Sequence, residues 1–328
     1  MFISMFGAVE SGIIYAIMAL GVYLSFRVLD FPDLTVDGSF VTGAAVAAVA
    51  ITHDVPTIIA TLLAVVAGFV AGSITGILNT KGKINPLLSG ILMMIALYSI
   101  NLRIMGRSNI PLLSEPTIFT QLREVWASTN IDQSLNAMLT SMGADRVPGT
   151  WSTLIVMVVI TVIIKLITDY YLKTEIGLAL RATGDNEKMI RSFSANTDNL
   201  KIVGLGISNA LVALSGALIA QYGGFADAGM GIGMIVVGLA SVIIGEALFG
   251  TKTIMRTTLA VIGGAIVYRI VVTWALRVDF LESSDMKLIT SLLVIVALVV
   301  PKIIDAQKEA SRKRRKRNKL QERLKGEA

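Results

Sequence analysis

Cysteine is absent from the 328-residue sequence, and histidine occurs once, at His53. Without a thiol there can be neither a disulfide framework nor a thiolate metal site. A single imidazole, here next to Asp54 and Pro56, cannot build a histidine metal cluster or a catalytic triad alone. The sequence therefore predicts no metal centre and no triad hydrolase.

Charged residues are also scarce. They make up 16% of the sequence, whereas soluble domains contain about 25%. Apolar residues reach 54%, and the mean hydropathy is +0.73. Because the apolar residues lie in long runs that are nearly free of charge, the composition indicates a membrane protein.

A P-loop is missing too, since no Gly-x-x-x-x-Gly-Lys-Ser/Thr run occurs anywhere in the chain. Such a run cradles the phosphates of a bound nucleotide. We therefore expect the chain to bind no cofactor of its own and to be a transport subunit rather than an enzyme.

The apolar runs predict the fold class. A spanning helix needs about 20 apolar residues, because backbone groups must bond internally where water is absent. On this criterion the chain is an all-α polytopic membrane helix bundle of about nine spanning or re-entrant segments. The segments are residues 9–29, 36–51, 56–78, 86–105, 151–171, 200–222, 232–249, 255–276 and 287–304.

The C-terminal tail carries the positive charge of the chain. From Lys308 onward there are ten Lys or Arg residues and three Glu residues, against a net charge of +6 for the whole sequence. A basic run can bind nucleic acid, but one that follows a hydrophobic helix is typical of a cytoplasmic segment near anionic membrane lipids. We expect a membrane domain over residues 1–304, a basic cytoplasmic tail over 305–328, and no nucleic acid partner.

With the tail inside, the loops can be assigned to sides. Residues 81–83, 173–201 and 250–253 fall inside and carry Lys or Arg, which agrees with the positive-inside rule. Residues 106–149 form an extracellular loop with an undetermined role. The N-terminus lies outside if residues 36–51 cross the membrane and inside if they re-enter, and the sequence leaves both open.

Residues 173–201 interrupt the membrane pattern with a charged cytoplasmic segment. Asp185 or Asn186 is a suitable N-cap for a short helix over 187–193. Such a helix across the end of the membrane domain is a rigid lever that a motor subunit can push. An ordinary solvated loop explains the same residues equally well.

A second charged segment lies between the first two apolar runs. Asp33 and Asp37 stand there close to membrane depth, where charge is costly and usually lines water or a solute path. An interfacial loop in which Asp37 caps the second helix is the alternative. The pattern Phe31-x-Asp33 recurs as Phe225-x-Asp227 before another apolar helix, which suggests an inverted repeat.

Other polar residues within apolar runs have simpler explanations. We expect Glu246 and Arg269 to form structural pairs, and Arg27 and Lys165 to extend to the interface from helix ends. The glycines at positions 68, 72 and 76 predict close helix packing.

Several motifs resemble one family. The run Gly-Leu-Ala-Leu-Arg-Ala-Thr-Gly-Asp-Asn at 177–186 is similar to the cytoplasmic coupling segment of ABC importer permeases of the branched-chain amino acid and simple-sugar class. Residues 214–218 and 245–250 are similar to that class as well. Residues 29–40 resemble a subgroup whose proposed substrates include tryptophan and other aromatic amino acids.

The resemblance implies an assembly in the cell membrane that works by alternating access. Two permease copies form the pathway, ATP-binding subunits dock on the coupling segments and use ATP and Mg, and an extracellular lipoprotein delivers the solute. The implied ATPase-coupling residues are Gly177, Arg181, Ala182, Gly184, Asp185 and Asn186. The expected substrate-pathway residues are Phe31, Asp33, Thr35, Asp37, Ser39, Phe225 and Asp227.

Two other functions fit the sequence. An ion- or proton-coupled secondary transporter would use Asp33, Asp37 or Glu246 to carry the coupling charge. A membrane scaffold would bind partners through its outer loop and basic tail.

Overall fold

The computed structural model describes residues 2–128, 131–141, 147–193 and 196–276, with isolated helical positions at 288, 291, 292, 295, 296 and 299. The described residues form eleven helices and two short strands. The helices are α1 (Phe2–Tyr23), α2 (Thr35–Thr52), α3 (Thr57–Thr80), α4 (Pro86–Met105), α5 (Ile118–Ala127), α6 (Ile131–Ser141), α7 (Ser152–Lys173), α8 (Glu175–Ser192), α9 (Thr197–Gly223), α10 (Met234–Phe249) and α11 (Ile254–Ala275). The strands are β1 (Asn109–Pro111) and β2 (Phe225–Asp227), and a π-helical turn (Leu24–Val28) extends α1.

Seven of the helices are long and apolar enough to cross a bilayer, namely α1 with its π-helical extension, α2, α3, α4, α7, α9 and α11. The apolar helix α10 is shorter, with 16 residues. The prediction of an all-α polytopic bundle is confirmed, and each of the first eight predicted segments overlaps one of these helices. The predicted ninth segment lies outside the described residues except for the isolated positions, and the tail 305–328 lies outside them entirely.

The bundle has two ends. At one end, which we call the loop face, α5 and α6 lie near the beginning of α1, and the rings of Phe6 and Trp151 meet edge to face at 5.0 Å. β1 and β2 pair there in antiparallel register, with Ile110 opposite Ala226. At the other end, the α8 face, α8 packs on the π-helical turn, and Arg27 of that turn forms an ion pair with Glu246 near the end of α10.

Helix α2 passes from one half of the bundle to the other. Thr35, in its first turn, hydrogen-bonds Thr75 near the α8-face end of α3, whereas Ile51, in its last turn, packs with Ile110 of β1 at the loop face. The segment 36–51 therefore crosses the bundle rather than re-entering. The beginning of α1 consequently lies on the same face as the loop 106–149.

Helix α9 is the centre of the bundle and is held by close glycine contacts. A Cβ atom on Gly43 of α2 would lie 1.9 Å from the carbonyl oxygen of Ala213, and one on Gly72 of α3 would lie 2.2 Å from that of Leu205. Gly68 and Gly76 approach α9 in the same way. The predicted role of the glycine stripe in close packing is confirmed.

Candidate functional site

Two helices begin at the same place inside the bundle. Asp37, in the first turn of α2, accepts hydrogen bonds from the backbone N–H groups of Gly233 at 2.9 Å and Ile235 at 2.7 Å. The first N–H groups of a helix have no partner within it, and a negative charge there is favourable. Asp37 therefore fastens the beginning of α10 to α2, although 196 residues separate it from Gly233 in the chain.

The alternative in which Asp37 caps its own helix was wrong. Leu34 precedes α2 and makes no side-chain cap. The side chain that bonds the first residue of α2 belongs to Asp33, whose Oδ1 accepts from the N–H of Thr35 at 2.9 Å. Asp37 lies within the first turn of α2 rather than before it, and its carboxylate accepts hydrogen bonds from the beginning of α10 instead.

An irregular segment, residues 228–233, leads from β2 at the loop face down to this junction. A Cβ atom on Gly231 would lie 2.1 Å from the carbonyl oxygen of Asp37, and Gly233 has φ +89°, so both positions favour glycine. Non-helical backbone at membrane depth is tolerated only where protein buries it or where it lines a cavity. Broken helices of this kind hold solutes in transporters.

Cavities lie on both sides of the segment 228–233. One, of about 380 Å³, is bounded by α2, α4 and residues 228–232 and includes Asp37 and Tyr98 in its wall. The other, of about 410 Å³, is lined by Tyr15, Tyr268 and Arg269, and Arg269 lies 4.8 Å from the ring centroid of Tyr15. The α2–α10 junction thus combines irregular backbone, a carboxylate and open space within the bundle.

A buried polar network lies immediately before the junction. Asn209 of α9 donates to Asp33 Oδ2 at 2.7 Å, and the hydroxyls of Thr35 and Thr75 are 2.8 Å apart. All four side chains are fully buried. The network joins the linker before α2 to α3 and α9.

The structure divides the expected pathway residues among three places. Phe31, Asp33, Thr35 and Ser39 are buried within the bundle, and Asp37 reaches a cavity wall. Phe225 and Asp227 lie in β2 on the loop face, where Asp227 Oδ1 accepts from the N–H of Gly229 at 2.7 Å. Asp33 and Asp227 are therefore not brought into one cluster.

The two copies of the Phe-x-Asp pattern precede helices that run in opposite directions. α2 runs from the α8-face half to the loop face, whereas α10 runs from the junction toward the α8 face, where Glu246 meets Arg27. This arrangement agrees with an inverted repeat, which stays a prediction.

Helix α8 is clamped onto the end of the bundle. A Cβ atom on Gly184 would lie 2.1 Å from the carbonyl oxygen of Val28 in the π-helical turn, and one on Gly177 would lie 2.0 Å from that of Tyr171. The fully buried Leu180 packs with Leu29 and Leu205 between these contacts. The described part of the segment 173–201 is accordingly largely helical and packed against the bundle along one side, not a solvated loop.

The second half of α8 begins at a kink. Asn186 has φ −158° and ψ 89°, and its side chain accepts from the N–H of Met189 at 3.1 Å. This is the predicted N-cap, made by Asn186 rather than Asp185. Beyond it, Glu187 bonds Lys201 at 2.7 Å and Arg191 at 3.0 Å, which ties α8 to the beginning of α9.

The expected ATPase-coupling residues point in two directions. Asp185 and Asn186 are exposed, whereas Gly177 is buried and Ala182 and Gly184 are half-buried. Arg181 lines a cavity of about 390 Å³ at the α8 face, together with Tyr23 and the Arg27–Glu246 pair. Most of the set thus faces the membrane domain.

Lys165 does not extend to the interface, so that expectation was wrong. Its Nζ lies 2.5 Å from Asp169 Oδ2, both side chains are buried, and Asp169 Oδ1 accepts from Thr258 of α11 at 2.6 Å. The sequence did contain the signal, since Lys165 and Asp169 are four residues apart on one helix face. Arg27 is 53% exposed and pairs with Glu246. That partner was not predicted for Arg27, whereas the structural pairing expected for Glu246 is confirmed.

Comparison with known proteins gives a consistent result. The family model described as the permease component of the branched-chain amino acid transport system matches residues 4–299. A protein named tyrosine transport system permease protein, from Clostridioides difficile (strain R20291), is 41% identical over 286 residues, which are 87% of each chain.

Two further similarities were found. An uncharacterised protein of Rickettsia prowazekii (strain Madrid E) is 33% identical over 295 residues, covering 89% of this chain and 95% of that protein. Among solved structures, the PsaBC complex from Streptococcus pneumoniae with Fab aligns with a TM-score of 0.48 at 11% identity, covering 88% of this chain and 89% of that one.

Proposed function

The chain belongs to the family of permease components of branched-chain amino acid transport systems, and from this we propose that it is the membrane subunit of an ABC importer for an aromatic amino acid. Tyrosine is the first candidate substrate because a relative that is 41% identical over 87% of its length is named as a tyrosine transport permease. The transport step is alternating access between the two faces, driven by ATP hydrolysis in a separate chain.

The observation that carries the proposal is the attachment of α8. Gly184 contacts the backbone of the π-helical turn without any intervening side chain. Residues 29–34, which include Asp33, connect that turn to the beginning of α2. Because packed elements shift as units rather than deform smoothly, a push on α8 moves the beginning of α2. Asp37 then transmits the movement to α10.

The exposed side of α8 suits an ATP-binding subunit. Ile176, Leu178 and Met189 are exposed there together with Asp185 and Asn186. Apolar side chains within a charged surface are typical of a protein interface. Lysines at positions 81, 83 and 252 lie on the same face, which favours a cytoplasmic α8 face and an extracellular loop face under the positive-inside rule.

The family membership supports two further partners in the proposed assembly. A second copy of this permease completes the pathway, and a solute-binding lipoprotein docks on the loop face over residues 106–149. Leu113, which is 85% exposed next to β1, is one side chain that such a partner would cover.

Uptake by proteoliposomes tests the proposed function. The permease is purified with its ATP-binding subunit, reconstituted, and supplied with labelled tyrosine and the solute-binding protein. We expect tyrosine to accumulate only when ATP reaches the α8 face. Accumulation driven by an ion gradient without ATP would instead establish the secondary transporter.

A further inference from the structure

The cavity beside α4 has the composition of a small-molecule site. We call it the α4 cavity; Val41 of α2, Met94, Ile95 and Tyr98 of α4, and Ile232 form much of its wall. Its volume of about 380 Å³ lies within the range of roughly 300–1,000 Å³ for ligand pockets. Such pockets are mainly apolar with a few placed polar groups, and here the one acidic group is Asp37.

Asp37 retains capacity for a ligand. A carboxylate offers about four acceptor positions, and the hydrogen bonds from Gly233 and Ile235 occupy one position on each oxygen. These bonds also fix the orientation of the carboxylate. A positively charged ammonium group in the cavity would therefore meet an acceptor that is already in place.

The floor of the cavity is rigid and polar. Asn101 of α4 is buried, its Nδ2 donates to the carbonyl oxygen of Gly38 at 3.1 Å, and its Oδ1 accepts from Thr42 at 2.9 Å. These bonds hold α4 against α2 at the polar part of the lining. Ile95 and Tyr98, in the apolar part, are more than half exposed, so the cavity is open on the side that they form.

We propose that the α4 cavity binds the transported amino acid, with its aromatic ring against Met94, Ile95 and Tyr98 and its ammonium group at Asp37. This rests on the proposed function and assigns its substrate site. Because the same carboxylate holds the beginning of α10, the substrate contacts the junction that α8 displaces. Occupancy of the cavity and movement of α8 are thereby coupled.

Filling the cavity tests the assignment. Met94→Trp adds bulk inside it, and we expect tyrosine uptake below saturation to fall tenfold or more in the reconstituted importer. Val159→Trp adds the same indole to the exposed face of α7 and is the matched control. Tyr98→Ala, with the exposed Tyr170→Ala as its control, provides a second variant if Met94→Trp fails to assemble.

Photolabelling locates the substrate independently of the variants. p-Azidophenylalanine is illuminated with the wild-type complex, and excess tyrosine serves as competitor. We expect competable labelling of peptides that contain residues 94–101 or 228–233. Two results would overturn the site without affecting the importer function, provided that the wild type takes up tyrosine. One is competable labelling of this chain only outside these peptides, and the other is unchanged uptake by both cavity variants. Absence of ATP-driven uptake by the wild type would instead overturn the proposed function.

Discussion

Gly184 of α8 lies so close to Val28 that a Cβ atom at position 184 would stand 2.1 Å from the Val28 carbonyl oxygen. No real Cβ atom tolerates that distance, so the two backbones can meet only because residue 184 has no side chain. The contact makes α8 and the end of α1 a single mechanical unit. Direct backbone contact lets a displacement of α8 reach the π-helical turn, because flexible side chains between them would adjust instead of transmitting the movement.

The first prediction concerns this contact. Gly184→Ala forces α8 away from the π-helical turn, and we expect overpacking to cost about 1–3 kcal/mol of stability together with most ATP-driven uptake. Thermal unfolding in detergent and proteoliposome uptake measure the two effects. Gly149→Ala is the control, because a Cβ atom there meets nothing within 4 Å. A variant at position 184 that matches this control in both measurements would contradict the close contact.

The second prediction concerns the network before α2. Asn209→Ala removes the amide that donates to Asp33 Oδ2 at 2.7 Å in a fully buried site. Leaving a buried acceptor without its donor costs about 1–3 kcal/mol, so we expect a loss of that size. Asn79→Ala removes a half-buried bond to the neutral carbonyl of Ile84 and should cost less. Equal losses in the two variants would show that Asp33 does not depend on Asn209.

The third prediction concerns the Lys165–Asp169 pair. Lys165→Met leaves the buried carboxylate of Asp169 without its cation, and breaking such a pair typically costs about 3–5 kcal/mol. The double variant Lys165→Met/Asp169→Leu removes both charges, and we expect it to recover most of the loss. Unfolding of the two variants by denaturant provides the comparison. A double variant no more stable than the single one would indicate that the pair is not the source of the loss.

The fourth prediction concerns pH. Partial burial raises the pKa of Glu187, but the hydrogen bond and charge of Lys201 and the charge of Arg191 outweigh it, so the pKa lies below its ordinary value of 4.5. Its stabilising effect is therefore present above about 4.5 and is lost as the pH falls through the folded pKa. We expect lower protection of the amides of residues 187–193 at acidic pH, that is, faster hydrogen exchange after correction for the pH dependence of the intrinsic exchange rate. In Glu187→Gln, the amides of residues 187–193 should exchange faster already at neutral pH, and acid should change their protection less than in the wild type. If acid lowers their protection as much as in the wild type, Glu187 is not the titrating group.

Much of the bundle was predictable because a bilayer imposes helix length and polarity on local sequence. The first eight apolar segments and the N-cap at Asn186 were all visible as runs or short patterns. The crossing of α2 was not, since its composition fits both a spanning and a re-entrant segment. The tertiary contacts of its two ends decide between them: Thr35 hydrogen-bonds Thr75, and Ile51 lies in one buried cluster with Ile110.

The candidate site was harder to predict because its central bonds join distant parts of the chain. Asp37 was identified as a charged residue near membrane depth, but local pattern assigned it to its own helix, whereas its partners are Gly233 and Ile235. The α4 cavity depends on how α2, α4 and residues 228–232 are packed. No spacing within any one of these segments indicates it.

The central claim is that α8 is the element on which a separate ATP-binding subunit acts, and thiol crosslinking tests it most directly. The chain contains no cysteine, so Leu178→Cys on the exposed side of α8 and Leu113→Cys on the loop face each introduce a unique thiol. The two side chains are 51% and 85% exposed. A benzophenone maleimide attached to the introduced thiol and illuminated in the assembled complex should join the ATP-binding subunit to residue 178 and not to residue 113, because the photoreactive group inserts into C–H bonds and needs no thiol on the partner. Crosslinking at residue 113 instead, or at neither position in a complex that still transports, would contradict the account.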